Sequence, residues 1–146
     1  MKVAISTASD IQFDMTVPSR TQYLSLVGSI GEEIAKALHP YHGDRDKLAF
    51  TLNLVLTEAV TNVIKYAGSH SSSQPIRIKI LFRRNELFIQ VYDQGQGFDL
   101  NAVRDPDPDQ HREGGLGIFL IRKFMDSVEY RKIKDGNILE MRKTLA

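Results

Sequence analysis

Residues 11–17 alternate apolar Ile11, Phe13, Met15 and Val17 with polar Gln12, Asp14 and Thr16, the period of a strand that buries one face. Pro18 stops the pattern, and Ser19 is suited to cap a helix. The period then lengthens. Tyr23, Val27, Ile30, Ile34 and Leu38 recur every three or four positions and predict a helix over about 20–38. Gly28 and Gly31 weaken its propensity, so this helix needs tertiary support. After a turn at 39–43, Asp44 opens a second helix carrying the stripe Leu48, Leu52, Val55, Ala59 and Val63. It is expected to end near Ala67 and Gly68, before a Ser- and Gly-rich loop that runs to Pro75.

Two strands follow, 76–83 with Ile76, Ile78, Ile80 and Phe82 on one face, and 87–92 with Leu87, Ile89 and Val91. The three residues between them predict an antiparallel hairpin. The character changes over 93–115, where glycines, prolines and charges replace apolar residues, and a loop of this length is expected to be a functional lid. A third helix is predicted over about 116–126 with Leu116, Phe119, Leu120 and Phe124 inward, then a hairpin of 127–133 and 137–144 around Asp135, Gly136 and Asn137. Paired strands with helices on one face make an α+β two-layer sandwich with a mostly antiparallel sheet. Residues 1–10 read as a tail or a short edge strand before one domain over 11–146.

Composition narrows the function classes. A chain of 146 residues holds one core. With 19 basic and 18 acidic side chains, its net charge of +1 gives no reason to expect nucleic acid or a membrane surface. The lack of cysteine excludes disulfides, thiolate catalysis and cysteine-bound zinc, and fits a reducing cytoplasm. No apolar run approaches the roughly 18 residues that span a bilayer.

Three groups of residues can carry chemistry. Glu58 and Asn62 lie four apart on the second helix, so they point the same way, with Lys65 one turn on. An amide oxygen there can ligate Mg²⁺ while the carboxylate orients or deprotonates a nucleophile. The alternative is a polar face formed by residues 57, 58, 61, 62 and 65 and turned to solvent. Asp93 ends an apolar strand and is followed by Gly95 and Gly97, where a carboxylate can accept from an exocyclic amine and glycines admit a ligand close to the backbone. A tight turn would look the same. Gly114, Gly115, Leu116 and Gly117 open the third helix, whose exposed N–H groups suit an anion. Neither the P-loop nor the dinucleotide fingerprint is present. Arg104, His111 and Arg112 in the lid are candidates to meet phosphate, or are solvated loop charges.

The order of these groups resembles the ATPase superfamily shared by gyrase, the 90-kilodalton heat-shock chaperone, histidine kinases and MutL. Leu56-Thr57-Glu58-Ala59-Val60-Thr61-Asn62 looks like its N box, and Asp93-Gln94-Gly95-Gln96-Gly97-Phe98 and Gly115-Leu116-Gly117-Ile118-Phe119-Leu120-Ile121 look like its two glycine boxes. The Thr-Glu-Ala-x-Thr-Asn form and the run ending in Met125-Asp126 are similar to the small bacterial anti-sigma factor serine kinases of RsbW and SpoIIAB type. The resemblance spans about residues 11–144. It implies the Bergerat ATP-binding fold and an ATP- and Mg²⁺-dependent serine/threonine protein kinase, with Glu58 as base, Asn62 on the metal and Asp93 on the adenine amine. It further implies Gly95 and Gly97 at the base pocket, residues 98–114 as lid, and Gly115 and Gly117 at the phosphates. The implied partners are a STAS-domain anti-anti-sigma protein as substrate, a sigma factor or other response regulator as binding partner, and a second copy of the chain in a homodimer. One departure stands out: Gly136 is followed by Asn137-Ile138-Leu139, where the family often has a threonine near the adenine. A non-catalytic nucleotide switch and simple ATP hydrolysis are the rival readings.

Overall fold

The computed structural model describes residues 2–5, 10–38, 41–66, 74–95, 97 and 116–145. Strands β1 (Lys2–Ile5) and β2 (Ile11–Val17) precede a short 3₁₀ turn (Thr21–Tyr23) and helices α1 (Leu24–Ala37) and α2 (Arg45–Tyr66). Strands β3 (Ile76–Arg83) and β4 (Glu86–Asp93), helix α3 (Leu116–Phe124), and strands β5 (Ser127–Ile133) and β6 (Gly136–Thr144) complete the fold. The six strands form one sheet in the order β1-β2-β3-β4-β6-β5, with every neighbouring pair antiparallel. Residues 2–5 thus form an edge strand on β2. The helices cover one face, giving the expected α+β two-layer sandwich.

The alternation in β3 and β4 decides which face is covered. Ile76, Ile78 and Ile80, with Leu87, Ile89 and Val91, are all at most 1% exposed beneath the helices. The opposite face carries cross-strand ion pairs such as Arg77–Asp14 at 2.6 Å and Arg131–Glu140 at 2.6 Å. Those exposed pairs add little stability but suit a face turned to water.

Helix α2 runs through the middle of the helical layer. It packs against α1 on one side and α3 on the other, and Leu52, Val55, Leu56 and Ala59 are fully buried. Its polar side is therefore not a solvated face: Thr51 and Asn62 are buried, and Thr57, Glu58 and Thr61 are half-buried. By length and hydropathy the stretch Arg45–Lys65 also meets the criterion for a bilayer span, which the sequence reading did not expect. More than half of it is buried inside the fold, as befits a central core helix.

Close approach explains the glycines of α1. A Cβ at Gly31 would lie 2.7 Å from Leu56 Cδ1 and 3.2 Å from the Leu52 carbonyl carbon. One at Gly28 would lie 2.8 Å from both Asn53 Oδ1 and Thr57 Oγ1. The two helices are joined at their ends by Arg45, whose Nη1 donates to the carbonyls of Ala35 at 2.9 Å and Leu38 at 2.6 Å. These carbonyls belong to the last turn and cap of α1, and that of Ala35 also accepts the Leu38 N–H at 3.4 Å.

Helix α3 faces the core differently from expectation. Ile118, Ile121 and Met125 are buried, while Phe119, Leu120 and Phe124 are half-buried. Both sets have helical spacing, so periodicity alone could not choose. The choice follows from Gly117, which must sit against α2 (below) and carries Ile121, one turn on, with it.

Gly31→Val is expected to lower stability by about 1–3 kcal/mol, because the added methyls have no space between α1 and α2. Urea unfolding checks this, through a lower midpoint with an unchanged slope.

Candidate functional site

Two groups of residues, one on the helices and one on the sheet, make up the site. On the helices, Glu58 and Asn62 are consecutive turns of α2 and both face the start of α3. A Cβ at Gly117 would lie 2.7 Å from Glu58 Oε2, 3.2 Å from Asn62 Nδ2 and 3.4 Å from Asn62 Oδ1. Gly117 is therefore glycine because the two polar side chains occupy the space a side chain would take. Asn62 is 7% exposed, and its Nδ2 has no hydrogen-bond partner among the described residues. A buried amide left unsatisfied costs free energy unless a ligand group meets it. Both of its polar atoms lie near the same point, and a turn of the amide exchanges donor for acceptor there.

Burial raises the Glu58 carboxyl above its ordinary value of 4.5. Low-dielectric surroundings disfavour the carboxylate and make it a stronger base once ionised. Lys65 is exposed in the last turn of α2. Leu116 begins α3. Gly114, Gly115 and Arg112, together with Arg104 and His111, lie outside the described residues.

On the sheet, Asp93 ends β4 and is paired in register with Asn137 of β6. Asp93 Oδ1 accepts from the Gly95 N–H at 2.8 Å and from Asn137 Nδ2 at 3.0 Å. Asn137 Nδ2 also donates to the Gly95 carbonyl at 2.9 Å. Asp93 is 8% exposed and Asn137 2% exposed. One amide thus ties the carboxylate to the turn that follows it, and no described residue bonds Asp93 Oδ2. The turn needs its glycines. Gly97 has φ of +79°, and a Cβ there would lie 2.7 Å from both Asn137 Oδ1 and Tyr130 Oη. Gly136 has φ of +152°, and a Cβ there would run into the Asp93 carbonyl.

Asn137 and Tyr130 were not among the residues singled out from the sequence. Asn137 entered the sequence reading as a hairpin residue and as the place of a missing threonine, without a role of its own. Its signal was its place in the alternation of β6, where it precedes Leu139 and Met141 on the inward face of the strand. A buried amide at such a position needs partners, and Asp93 is directly opposite.

The residues fit a magnesium nucleotide. Among the described residues no group of three or more His, Asp or Glu side chains could hold a metal alone. Mg²⁺ is commonly held by one or two protein oxygens together with substrate phosphates. The Asn62 amide over Gly117, whose Nδ2 is bonded by no described residue, can meet that requirement by turning its oxygen to the cation, and the Asp93 carboxylate, held at Oδ1 and with Oδ2 bonded by no described residue, suits an exocyclic amine.

Comparison with known proteins places the chain in a family. The family model for the histidine kinase-like ATPase domain matches residues 17–143. The serine-protein kinase RsbW of Halalkalibacterium halodurans is 32% identical over 140 residues, covering 90% of this chain and 82% of the relative. That of Staphylococcus aureus (strain JH9) is 30% identical over 141 residues, covering 89% and 84%. Among solved structures, a chain of the SiaB–SiaC complex from Pseudomonas aeruginosa shares the fold, with a TM-score of 0.59 over 90% of this chain and 87% of that one at 14% identity. The chain belongs to the histidine kinase-like ATPase family and, within it, to the relatives of the serine-protein kinase RsbW.

Proposed function

We propose that this chain is an ATP-dependent serine/threonine protein kinase of the anti-sigma factor type that phosphorylates a small STAS-domain protein. The observation that carries the reading is the half-buried Glu58 carboxylate beside the unpartnered Asn62 amide, with Gly117 leaving room between them. Bound Mg·ATP supplies the transferable phosphoryl group and the positive charge that screens it. Asn62 would hold the cation, and Asp93 would accept from the adenine amine. Gly95 and Gly97 would line the base pocket, and Gly114, Gly115, Leu116 and Gly117 would be the phosphate-binding residues. Lys65 and Arg112 are the candidate phosphate cations. Glu58 would take the proton of the hydroxyl that receives the phosphoryl group, with ADP as the leaving group.

The relatives' name, serine-protein kinase, supports a protein hydroxyl as acceptor. A sigma factor or other regulator would be the partner held without phosphorylation. A homodimer in the cytoplasm is the state we infer for the working protein. The non-catalytic switch drew its support from the missing threonine. Asn137 weakens that support by giving Asp93 hydrogen bonds from the same strand. The test is incubation with Mg·ATP and purified STAS-domain proteins of the source bacterium, with phosphosites read by mass spectrometry. Phosphoserine or phosphothreonine is expected. Tight nucleotide binding with no transfer to any of them would overturn the kinase reading.

Glu58→Gln is expected to lose about 10²–10⁴-fold in phosphotransfer while ADP binding, measured by calorimetry, stays within twofold. The wild-type rate should climb with pH as Glu58 ionises, with a midpoint above 4.5. The sign for stability follows from the same raised value. Burial favours the protonated carboxyl, an advantage present below 4.5 and lost as pH rises through the folded value. Glu58→Gln should therefore be no less stable than wild type at pH 7 in thermal unfolding.

Asp93→Asn should weaken ADP binding by at least tenfold, because the base-facing acceptor and the two bonds to Oδ1 are disturbed together. Gly117→Ala should do the same with the fold retained, since its methyl displaces Glu58 and Asn62. Calorimetry with ADP and circular dichroism check both.

A further inference from the structure

Positions 50, 54, 58 and 62 of α2 follow one line along the helix, each a turn from the next. At one end of this line Glu58 and Asn62 meet Gly117, near the start of α3. At the other end Phe50 meets Phe124, the last residue of α3, with ring centroids 5.9 Å apart and planes at 66°. The two helices therefore run antiparallel, and their seam leads from the aromatic pair to Glu58. Phe50 is 58% exposed, the most exposed large apolar residue among those described. Leu54 on α2 and Leu120 on α3 lie along the same seam. Both are half-buried, and neither belongs to the core or to the apolar residues packed on it.

This surface is held firmly. Lys143 Nζ donates to the Phe124 carbonyl at 3.1 Å, the Asp126 N–H to the Arg142 carbonyl at 2.8 Å, and the Thr144 N–H to Asp126 Oδ2 at 2.6 Å. The end of α3 is thereby clamped to β6. Exposed aromatic side chains on rigid elements are the usual anchors of protein interfaces. Leu26 and Ile133 are the other exposed large apolar residues described. Neither shares an element with Glu58, and single exposed residues of that kind need no explanation.

We propose that the Phe50–Phe124 pair is the docking point of the acceptor protein, taking one of its apolar side chains while its hydroxyl-bearing segment follows the seam to Glu58. The proposal rests on the reading of Glu58 as the base for a protein hydroxyl. Distance selects the occupant. Phe50 and Glu58 are eight residues apart on one helix, a rise of about 12 Å. A standard interface covers about 800 Å² of each partner, a disc of about 16 Å radius. An acceptor of that size with its interface centred on Glu58 reaches Phe50, and a second copy seated there would obstruct it. Exposed Lys47, Asp46 and Lys123 border the pair, so the rim is charged with both signs and the apolar contact carries the recognition.

Phe50→Ser, Phe50→Leu and Glu58→Gln can be compared with wild type against the same panel of STAS-domain proteins. Transfer rates would be followed as a function of acceptor concentration, ADP affinity by calorimetry and mass by light scattering. Phe50→Ser is expected to raise KM for the acceptor at least tenfold with kcat and ADP affinity within twofold, and Phe50→Leu to recover part of the loss. Glu58→Gln is expected to lose kcat and to bind the acceptor as wild type does. An unchanged KM in Phe50→Ser overturns the docking proposal alone. A parallel fall in ADP affinity overturns it too, by assigning the patch to the nucleotide site. Loss of a wild-type dimer overturns it by assigning the patch to a second copy. Transfer by Glu58→Gln at the wild-type rate removes the base and leaves the docking point to be judged on KM. If wild type neither binds nor phosphorylates any panel member, both readings fall.

Discussion

The burial of α2 between the sheet, α1 and α3 is the constraint on which the rest of the structure depends. A helix covered on three sides would ordinarily be apolar all round. This one carries Thr51, Asn62 and Glu58 into its covered surface. Each polar group there must be satisfied or must cost stability. The Thr61 hydroxyl meets the requirement by donating to the Thr57 carbonyl at 2.7 Å, and Asn53 by donating to Glu32 across the α1 contact at 2.6 Å. Asn62 Nδ2 finds no partner among the described residues, and Glu58 is left with a raised affinity for protons. Those two exceptions fall on adjacent turns and face the same glycine. Concentrated in this way, unsatisfied polarity looks like a site kept ready for a ligand rather than a packing defect.

The sheet solves the complementary problem. A carboxylate at a strand end, followed by glycines, would ordinarily sample several orientations. Asn137 removes that freedom by bridging Asp93 and the Gly95 carbonyl from the neighbouring strand. Gly136 makes the bridge possible, since only a residue without Cβ lets β6 begin so close to the Asp93 carbonyl. Helix and sheet thus use one device. In both, a glycine allows a polar side chain or backbone group to come nearer than a Cβ would permit.

Much of this was legible in the sequence. The strands and helices followed from periods of two and three to four, and the hairpins from their short polar turns. What was not legible depended on which of two equivalent stripes meets the core. Phe119, Leu120 and Phe124 have the spacing of an inward face, and Phe124 does pack against the core, yet Ile118, Ile121 and Met125 are the buried set because Gly117 fixes the rotation of α3. Residues 57, 58, 61, 62 and 65 looked like a solvated face because periodicity cannot see that α1 and α3 cover both flanks. Asn137 carried a signal, a polar residue on an inward strand position, but its meaning required the β4–β6 register that pairs it with Asp93.

The same rotation of α3 shapes what the surface can recognise. Turning Ile118, Ile121 and Met125 inward leaves Phe124 at the α2 seam, where its ring meets that of Phe50. Gly117 therefore has two consequences. It opens space beside Glu58 and Asn62, and through the helical period it places an aromatic ring about two turns away. Recognition of a protein and transfer of a phosphoryl group call for different surfaces, one apolar and one polar. Along α2 they are joined by a single rigid rod, so an acceptor anchored at Phe50 meets Glu58 at a fixed separation.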